Sequence, residues 1–371
     1  MILRLGLIGT GFMGKAHALA YRSAGAVFGG LPEVRLSMLC DTPEPEARKY
    51  AAQFGFETAT ADWRALVASR EVDIVSVTTP NGLHKEMALA AIAAGKHVHC
   101  EKPLALTLED AQEMEAAARA AGVRTMAGYN YIHNPAISHA RALIAEGVIG
   151  RVVHFRGKVD EDYQADPNLP WTWRAKRADA GLGALGDLGC HLVSMSQVLM
   201  GGIESLIADT QIIHETRPLP DGAGRGTVEN EDTASALVRY KTGAQGTLCT
   251  SRSAWGRKNT LDWEVHGTKG MITFAQERLN ELKLFTNDGP RAQQGFRTIL
   301  TGPEHAPYSA FCPAPGHQLG FGDLKTIEAA AFLRAIAAGQ DTFPNFTDAL
   351  EIERVIHAID TSAREGRRVT L

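Results

Sequence analysis

Two short segments far apart in the chain carry residues that could move a proton and a hydride. Lys102 lies in Glu101-Lys102-Pro103, directly after the apolar run His97 to Cys100. Asp187 and His191 are four residues apart, a spacing that puts both side chains on one face of a helix. An ammonium can stabilise negative charge on an alcohol oxygen, and an imidazole is the natural base near neutral pH. The set suits oxidation of an alcohol, in which Lys102 polarises the oxygen, His191 takes its proton and Asp187 orients the substrate.

Each residue of this set also has an ordinary structural alternative. A lysine is usually a solvated surface residue, an aspartate often caps a helix, and a histidine can be satisfied within a core. The place of Lys102 at the end of a buried run argues against a merely solvated side chain. Four glycines between residues 181 and 189 would let the backbone around Asp187 approach a ligand closely.

A hydride needs an acceptor, and the segment Gly9-Thr10-Gly11-Phe12-Met13-Gly14 predicts one. It follows the apolar run Leu3 to Ile8 and opens a helix, which is the context in which this pattern binds a dinucleotide. Gly9 permits the tight turn, Gly11 lets the backbone approach the pyrophosphate, and Gly14 lets helix and strand pack closely. A glycine-rich turn without a ligand is the alternative.

Asp41 closes the second apolar run, Arg35 to Cys40, where a carboxylate would accept hydrogen bonds from the ribose hydroxyls of adenosine. A 2′-phosphate would meet like charge there, and no Arg or Lys adjoins Asp41, so we expect NAD rather than NADP. Asp41 can also cap the next helix, and the two roles are compatible. Thr79-Pro80-Asn81 follows another buried run, at the strand end where ligands of such sheets bind, although Pro-Asn is an ordinary turn as well.

Other polar and aromatic residues could contact a sugar or a polyol. Trp173 could cover a sugar face and Arg174 could clamp hydroxyl groups, or both could simply pack a loop. Glu161 belongs to the acidic stretch Asp160 to Tyr163, which would either bind a polyol or be solvated. The remaining candidates are Asn130 and Tyr131, after the last predicted parallel strand, and His317, in a loop rich in glycine and proline. No group of His, Cys, Asp and Glu has metal-ligand spacing, so we expect no metal.

The elements that must position these residues alternate in the first third of the chain. Short apolar runs are separated by alanine-rich segments with helical periodicity, up to about residue 128. This alternation predicts a doubly wound parallel sheet with helices on both faces, a Rossmann domain over residues 1–128. The runs are Leu3 to Ile8, Arg35 to Cys40, Asp73 to Thr78, His97 to Cys100 and Arg124 to Ala127, and the helices include Lys15 to Ser23, Leu83 to Ala94 and Leu108 to Ala121.

After Gly128 the pattern changes to strands joined by tight turns. Such a pattern predicts a mostly antiparallel, open sheet, and with its helices an α/β domain over residues 129–371 that binds the substrate. The predicted strands are Val152 to Gly157, Thr233 to Tyr240, Ala244 to Ser253, Leu261 to His266 and Met271 to Phe274, and the predicted helices are Pro135 to Glu146, one opening near Asp187, Asp323 to Ala338 and Asp348 to Glu365.

Composition excludes several classes of protein. The chain has 371 residues, 44% hydrophobic and 22% charged, with a net charge of −4, which indicates a globular protein of two domains. No basic stripe suggests nucleic acid, and no apolar segment approaches the ~20 residues that span a bilayer. The chain starts on a strand-like run rather than a signal peptide. Five scattered cysteines show no disulfide or metal pattern, so we expect a cytoplasmic protein.

Together these segments resemble the Gfo/Idh/MocA family, which includes glucose-fructose oxidoreductase and inositol dehydrogenase. The segments that match are Gly9 to His17, Thr79-Pro80-Asn81 with His84, Glu101-Lys102-Pro103, and Asp187 with His191, and the resemblance covers essentially the whole chain. It implies a Rossmann domain, a C-terminal α/β domain whose open sheet makes dimer or tetramer contacts, and Lys102, Asp187 and His191 as the catalytic group. One departure is the insert-like stretch Ala24 to Pro32, which separates Asp41 from the glycines.

The resemblance also implies which residues contact the ligands. The cofactor contacts are Gly9, Gly11, Phe12, Met13, Gly14, Asp41, Thr79, Pro80, Asn81, His84, Glu101, Lys102 and Asn130. The substrate contacts are Lys102, Tyr131, Glu161, Trp173, Arg174, Asp187, His191 and His317. From the residues alone, His84 is more typical of a structural or surface histidine.

Within the family, three segments resemble a subgroup that acts on inositols, L-glucose-type aldoses and anhydrosugars such as levoglucosan. These segments are Trp173-Arg174, Gly295 to Thr298 and Thr301-Gly302-Pro303. We predict an NAD-dependent dehydrogenase, a homodimer or homotetramer, that oxidises a secondary ring hydroxyl of scyllo- or myo-inositol or of a pyranose such as L-glucose. The alternatives are a levoglucosan or glucoside 3-dehydrogenase, a glycosidase that uses tightly held NAD transiently, and a dinucleotide-sensing binding protein without turnover.

Overall fold

The computed structural model describes all 371 residues, which form two compact units. One unit consists of Met1–Asn130 and Gly320–Glu353, and the other of Tyr131–Leu319 and Arg354–Leu371. The first change of unit lies close to the predicted boundary after residue 128. The sequence predicted residues 129–371 as one continuous domain. The structure corrects this prediction, because Gly320–Glu353 belongs to the first unit.

The first unit is a six-stranded parallel sheet in the strand order β3-β2-β1-β4-β5-β6. This is the order of a doubly wound dinucleotide-binding fold, in which ligands bind beyond the carboxyl ends of the strands. The α/β prediction is confirmed. Its elements are β1 (Ile2–Ile8), α1 (Phe12–Phe28), β2 (Glu33–Cys40), α2 (Glu44–Phe54), β3 (Thr58–Thr60), α3 (Trp63–Ala68), β4 (Ile74–Val77), α4 (His84–Ala93), β5 (His97–Cys100), α5 (Leu108–Ala121) and β6 (Thr125–Ala127).

Local sequence explains most of these elements. All four residues of β4 are buried, as expected for a strand covered on both faces. Helix α5 begins where the Thr107 side chain accepts a hydrogen bond from the Asp110 amide, and it ends at Gly122, whose φ of 65° is left-handed. The stretch Ala24 to Pro32 is a continuation of α1 followed by a turn, so it adds helix rather than a separate insertion.

Helix α9 (Phe321–Ala338) joins the first unit because its apolar residues need a covered surface. Ala329, Ala330 and Phe332 are fully buried in the same core cluster as Leu5 of β1 and Tyr21 of α1. The chain then enters α10 (Phe346–Glu365), whose first part belongs to the first unit and whose last part belongs to the second.

The second unit is built on a nine-stranded sheet in the order β16-β15-β14-β13-β7-β12-β11-β8-β17. All neighbours are antiparallel except β7 and β12, so the prediction of a mostly antiparallel sheet is confirmed. The strands are β7 (Val152–Asp160), β8 (Ile203–Gln211), β9 (Thr216–Pro218), β10 (Arg225–Thr227), β11 (Thr233–Tyr240), β12 (Gln245–Ser251), β13 (Thr260–Gly267), β14 (Gly270–Ala275), β15 (Glu281–Thr286), β16 (Arg297–Leu300) and β17 (Val369–Thr370), with helices α6 (Pro135–Ala145), α7 (Arg177–Ala180) and α8 (Cys190–Met200).

One face of this sheet is covered and the other is open. Along β11 the buried residues alternate with more exposed ones, the pattern of a strand with one solvated face. Ala234, Ala236 and Val238 face the core, whereas Leu237 on the other face is 57% exposed. None of the helices combines the length and the apolar character that crossing a bilayer requires.

Candidate functional site

The glycine-rich turn between β1 and α1 contains two glycines that the fold itself requires and one that it does not. Gly9 has a φ of 98°, and a Cβ there would lie 2.8 Å from Thr78 O. A Cβ on Gly14 would lie 2.1 Å from Gly9 O. Gly11 is exposed and a Cβ there would meet nothing within 4 Å. The protein therefore gives no packing reason for Gly11, which fits its predicted role of admitting a ligand to the backbone.

The carboxylate of Asp41 is fixed against this turn. The Thr10 amide donates to Asp41 Oδ2 at 2.8 Å, the Thr10 hydroxyl donates a short hydrogen bond to the same oxygen, and the Thr42 amide donates to Oδ1 at 2.6 Å. Oδ1, with one donor, keeps acceptor capacity for a further donor such as a ribose hydroxyl. Strands β1 and β2 pair along their whole length, so their carboxyl ends lie side by side. The residues that lengthen α1 therefore do not move Asp41 away from the glycine-rich turn.

His84 supports the candidate site from beneath. It is fully buried, and its ring nitrogens lie 2.9 Å from Pro103 O and 3.0 Å from Thr79 O. Burial lowers the pKa of this imidazole. Because both nitrogens face backbone carbonyls, His84 joins the Thr79-Pro80-Asn81 turn to the Lys102 segment. Its contact with the dinucleotide stays a prediction.

Lys102 itself is half-buried at the end of β5, and carboxylates accept hydrogen bonds from the backbone on either side of it. The Lys102 amide donates to Glu101 Oε2 at 3.2 Å, and the Leu104 amide donates to Glu353 Oε1 at 2.7 Å. The Lys102–Pro103 peptide is cis. Glu101 is 4% exposed, and its carboxylate also bonds His17 and Lys325, which gives it a supporting role behind Lys102. Its contact with the cofactor stays a prediction.

Two further cofactor candidates in the first unit, Phe12 and Asn130, could each contact a ligand, the first through an exposed ring and the second through a buried amide donor. Phe12 is 73% exposed, with its ring 5.2 Å from the ring of Phe321. Asn130 is 2% exposed, and its buried Nδ2 has no hydrogen-bond partner in the protein. A buried amide donor without a partner is costly, so this group is suited to a ligand acceptor. Met13 and Asn81 are half-buried beside these segments, and Pro80 is exposed.

In the second unit, Asp187 lies in a π-helical turn, Leu185–Gly189, that leads directly into α8. The prediction of a helix opening near Asp187 is confirmed in place, whereas the π form was not predicted. Such turns are rare and occur frequently at functional sites. The Asp187 amide donates to Gly183 O at 3.0 Å, and His191, 7% exposed, lies one turn further with its ring 4.6 Å from that of Tyr131.

Tyr163 belongs to the acidic stretch noted in the sequence, but its pairing with Asp187 was not predicted. Its hydroxyl donates to Asp187 Oδ2 at 2.6 Å. Burial, followed by the Asp187 charge, raises the pKa of this phenol well above its usual value, so it remains a donor. The only signal in the sequence was its place three residues after β7, beside Glu161, which was chosen as the substrate candidate.

The outer candidates of the second unit are placed as follows. Tyr131 is half-buried, and its hydroxyl accepts a hydrogen bond from Asn259 at 3.2 Å. Arg174 is exposed and stacks over the Trp173 ring at 4.5 Å. Glu161 is half-buried at the end of β7, and His317 is exposed in its loop. Their predicted contacts with substrate stay predictions.

The start of the π-helical turn is held by Glu231, another residue that the sequence did not reveal. Its side chain accepts from the Leu185 amide at 2.9 Å, and its backbone oxygen accepts from the Ala184 amide at 2.8 Å. A Cβ on Gly183 would lie 2.1 Å from that same backbone oxygen. Only glycine fits this crossing of two backbones.

Comparison with known proteins gives concordant results along the chain. Residues 3–129 match the model described as "Oxidoreductase family, NAD-binding Rossmann fold", and residues 137–273 match the GFO/IDH/MocA C-terminal domain. Levoglucosan dehydrogenase of Pseudarthrobacter phenanthrenivorans is 38% identical over 374 residues, covering 97% of this chain and 96% of that protein.

Two further comparisons bear on the substrate. A solved structure of levoglucosan dehydrogenase in complex with NADH and L-sorbose has a TM-score of 0.97 at 38% identity, and covers 100% of this chain and 99% of the other. Inositol 2-dehydrogenase of Rhizobium meliloti is 25% identical over 375 residues, covering 100% of both proteins.

Proposed function

Because the chain belongs to the Gfo/Idh/MocA family of NAD-binding oxidoreductases, we propose that it oxidises a secondary ring hydroxyl of an anhydrosugar or pyranose, with levoglucosan as the first candidate. The observation that carries this choice is the 38% identity with levoglucosan dehydrogenase over 97% of the chain. Inositol 2-dehydrogenase, at 25%, is more distant. The order of the two substrate candidates is therefore the reverse of the order predicted from sequence.

The residues that would hold NAD are those of the glycine-rich turn, Asp41 and Asn130. Gly11 gives access to the backbone at the N-terminus of α1, which attracts a pyrophosphate. The fixed carboxylate of Asp41 suits the ribose hydroxyls and disfavours a 2′-phosphate. NAD, when bound, supplies the hydride acceptor.

We assign the proton chemistry to Lys102 and His191. The Lys102 ammonium donates a hydrogen bond to the reacting oxygen and stabilises its growing negative charge. The imidazole of His191 takes the proton as the O–H bond breaks, and the electron pair of the neighbouring C–H bond leaves carbon with the hydride, which gives a ketone. Asp187, held by the Tyr163 hydroxyl, orients the substrate.

The second substrate candidate is an inositol or an L-glucose-type aldose, supported by the similarity to inositol 2-dehydrogenase along the whole chain. Both candidates present a secondary ring hydroxyl, so the same residues serve either reaction. Product regiochemistry separates a 3-dehydrogenase of glucosides from an inositol dehydrogenase.

A binding protein without turnover is the alternative from another class. A sensor needs the cofactor site alone and has no use for an ammonium, an imidazole and a carboxylate set in two supported segments. Any rate of NAD reduction above background in the presence of a sugar or polyol excludes it.

The test is NADH formation over a panel of levoglucosan, methyl glucosides, L-glucose, scyllo-inositol and myo-inositol, each with NAD and with NADP. We expect the highest kcat/KM with levoglucosan and NAD. A preference for scyllo-inositol would replace the first candidate by the second. Hydrolysis of the glycosidic bond without net NADH release would indicate the glycosidase alternative. No reaction with any member of the panel would contradict the proposal.

We also propose that two copies associate through the open face of the nine-stranded sheet. A groove of about 540 Å³ lies on this face, lined by Ile207, Leu237 and Cys249 among others. Apolar residues exposed on a sheet face indicate an interaction surface. A Leu237→Lys variant is expected to shift the sedimentation coefficient to the value of a smaller species.

The five cysteines are all free thiols, which supports the proposed cytoplasmic location.

A further inference from the structure

A cluster of polar side chains is buried in the first unit behind the Lys102 segment. Seven residues from two helices and two strands contribute to it, and none is more than 4% exposed. They are His17 and Tyr21 of α1, Ser76 of β4, His99 and Glu101 at the end of β5, and Lys325 and Glu328 of α9. The proposed mechanism uses none of them directly, although Glu101 adjoins Lys102.

Lys325 is the centre of this cluster. Its Nζ donates to Glu101 Oε1 and to Glu328 Oε1, each at 2.7 Å. Glu328 Oε1 also lies 3.0 Å from His99 Nε2, whose other nitrogen lies 2.9 Å from the Tyr21 hydroxyl. A buried ammonium survives only with compensating charge, and here two carboxylates provide it.

His17 completes the hydrogen bonds of the cluster rather than its charge. His17 lies 2.8 Å from Glu101 Oε1 through Nε2 and 2.7 Å from the Ser76 hydroxyl through Nδ1. Burial, followed by the charges of His99 and Lys325, lowers the pKa of His17 to about 3, so the ring is neutral at ordinary pH. A neutral ring donates to Glu101 from Nε2 and accepts from Ser76 at Nδ1.

A metal ion is the obvious alternative occupant, since ligand atoms of His17, His99 and Glu328 lie within 4.8 Å of one another. The hydrogen bonds argue against it. Both Nε2 atoms already face carboxylates, and the Lys325 ammonium lies 2.7 Å from Glu328. The cation of this cluster is therefore supplied by the protein.

The cluster is connected to the chemistry through Glu101. Burial opposes ionisation of this carboxyl, but the Lys325 ammonium and the His17 hydrogen bond hold its pKa well below the usual value. The ionised carboxylate accepts the Lys102 amide at Oε2, while Lys325 and His17 hold Oε1. The orientation of Glu101 thus fixes the backbone from which the Lys102 side chain departs.

We propose that Lys325 is a positioning residue for Lys102: by pairing with Glu101 it sets the placement of the catalytic ammonium and the pH range over which the enzyme works. The inference rests on the proposed function. Without Lys325, Glu101 becomes a buried carboxylate whose partners, His17 and the Lys102 amide, are both neutral, and it takes up a proton at higher pH. A protonated Glu101 can turn to donate a hydrogen bond, which frees the Lys102 amide.

The test compares Lys325→Met with Leu333→Ala, which removes buried apolar atoms from the same helix without touching a charge. The wild-type enzyme must first reduce NAD with a sugar or polyol; if it does not, the proposed function fails and not this inference. We expect Lys325→Met to lower kcat about 30-fold while the KM for NAD changes little, because a displacement of about 1 Å costs up to ~10²-fold. The acidic limb of its pH profile should move up by about one unit.

A second variant separates charge from packing. In Glu101→Gln/Lys325→Met the amide oxygen can still accept the Lys102 amide and no buried charge remains, so we expect the pH shift to vanish and kcat to recover in part. If Lys325→Met does not fold, Glu101→Gln alone carries the test, with an expected loss of kcat at constant KM for NAD. The proposal is overturned if these variants keep wild-type kcat and pH profile, or if Leu333→Ala changes both to the same extent.

Discussion

Two segments of the molecule present the proposed catalytic groups, and they are supported by opposite means. Behind Lys102, the buried carboxylate of Glu101 pairs with an ammonium, which holds its pKa well below the usual value. Behind Asp187, the buried carboxylate of Glu231 accepts backbone amides, and burial outweighs them and raises its pKa. The same residue type, equally buried, is thus shifted in opposite directions: the Lys325 ammonium in direct contact outweighs burial at Glu101, whereas backbone amides and the charge of Arg252 do not outweigh it at Glu231.

The difference indicates how each segment responds to change. The Lys102 segment depends on a balance of charges, so it should be sensitive to pH and to neutral substitutions. The Asp187 segment depends on the close crossing of two backbones at Gly183 and Glu231, so it should be sensitive to added atoms. The following predictions test this contrast in turn.

Substituting Gly183→Ala should have the largest effect on stability. The new Cβ would lie 2.1 Å from Glu231 O, so the backbone must move and the π-helical turn with it. We expect a loss of about 3 kcal/mol in the free energy of unfolding, measured by guanidinium denaturation. Gly295→Ala is the control, since a Cβ there meets nothing within 4 Å. Equal stability of the two variants would contradict the backbone account.

Mild acid should destabilise the protein through His17. Its pKa in the folded state, about 3, lies below the unfolded value, so the unfolded chain binds the proton first as pH falls. Stability contributed by the neutral ring is complete above pH ~6.5 and declines below it, by about 2 kcal/mol between pH 6.5 and pH 5. Unfolding at the two pH values should show a smaller difference in His17→Gln than in the wild type. An unchanged difference would show that this ring is not the cause.

The hydrogen bond from Tyr163 to Asp187 should have a smaller effect, confined to activity. Tyr163→Phe removes a donor to a charged acceptor, a bond of about 1.5 kcal/mol, so we expect kcat/KM for the sugar to fall about tenfold. The KM for NAD should stay constant, because Asp187 is assigned to the substrate. A change in NAD affinity without a change in kcat/KM for the sugar would contradict the assignment of Tyr163 and Asp187 to the substrate.

Local signals allowed the sequence to predict the elements that carry the candidate residues. The buried run His97 to Cys100 and the helix Leu108 to Ala121 have the same bounds in the structure. Strand β3, three residues long and partly exposed, has too little apolar pattern to be recognised. The identity of Lys102, Asp187 and His191 as candidates came from spacing and residue type, which are also local.

The supporting residues could not be predicted because their partners are remote in sequence. Lys325 lies 224 residues from Glu101, and no periodicity indicates that α9 returns to the first unit. A hint was present in the pair Lys325 and Glu328, two charges on one face of an apolar helix. The π-helical turn escaped prediction as well, because glycine-rich sequence around Asp187 is compatible with several turns.

The most direct measurement is the oxidation of levoglucosan by the wild type and by Lys102→Met, with NADH binding measured on both by fluorescence. We expect kcat to fall roughly 10³-fold in the variant, since the role proposed for the ammonium is to stabilise charge on the reacting oxygen, while NADH affinity stays within a few-fold. A variant that reduces NAD at nearly the wild-type rate would contradict the assignment of Lys102 to the chemistry. That result would also contradict the proposal that the buried charge cluster positions Lys102 for catalysis.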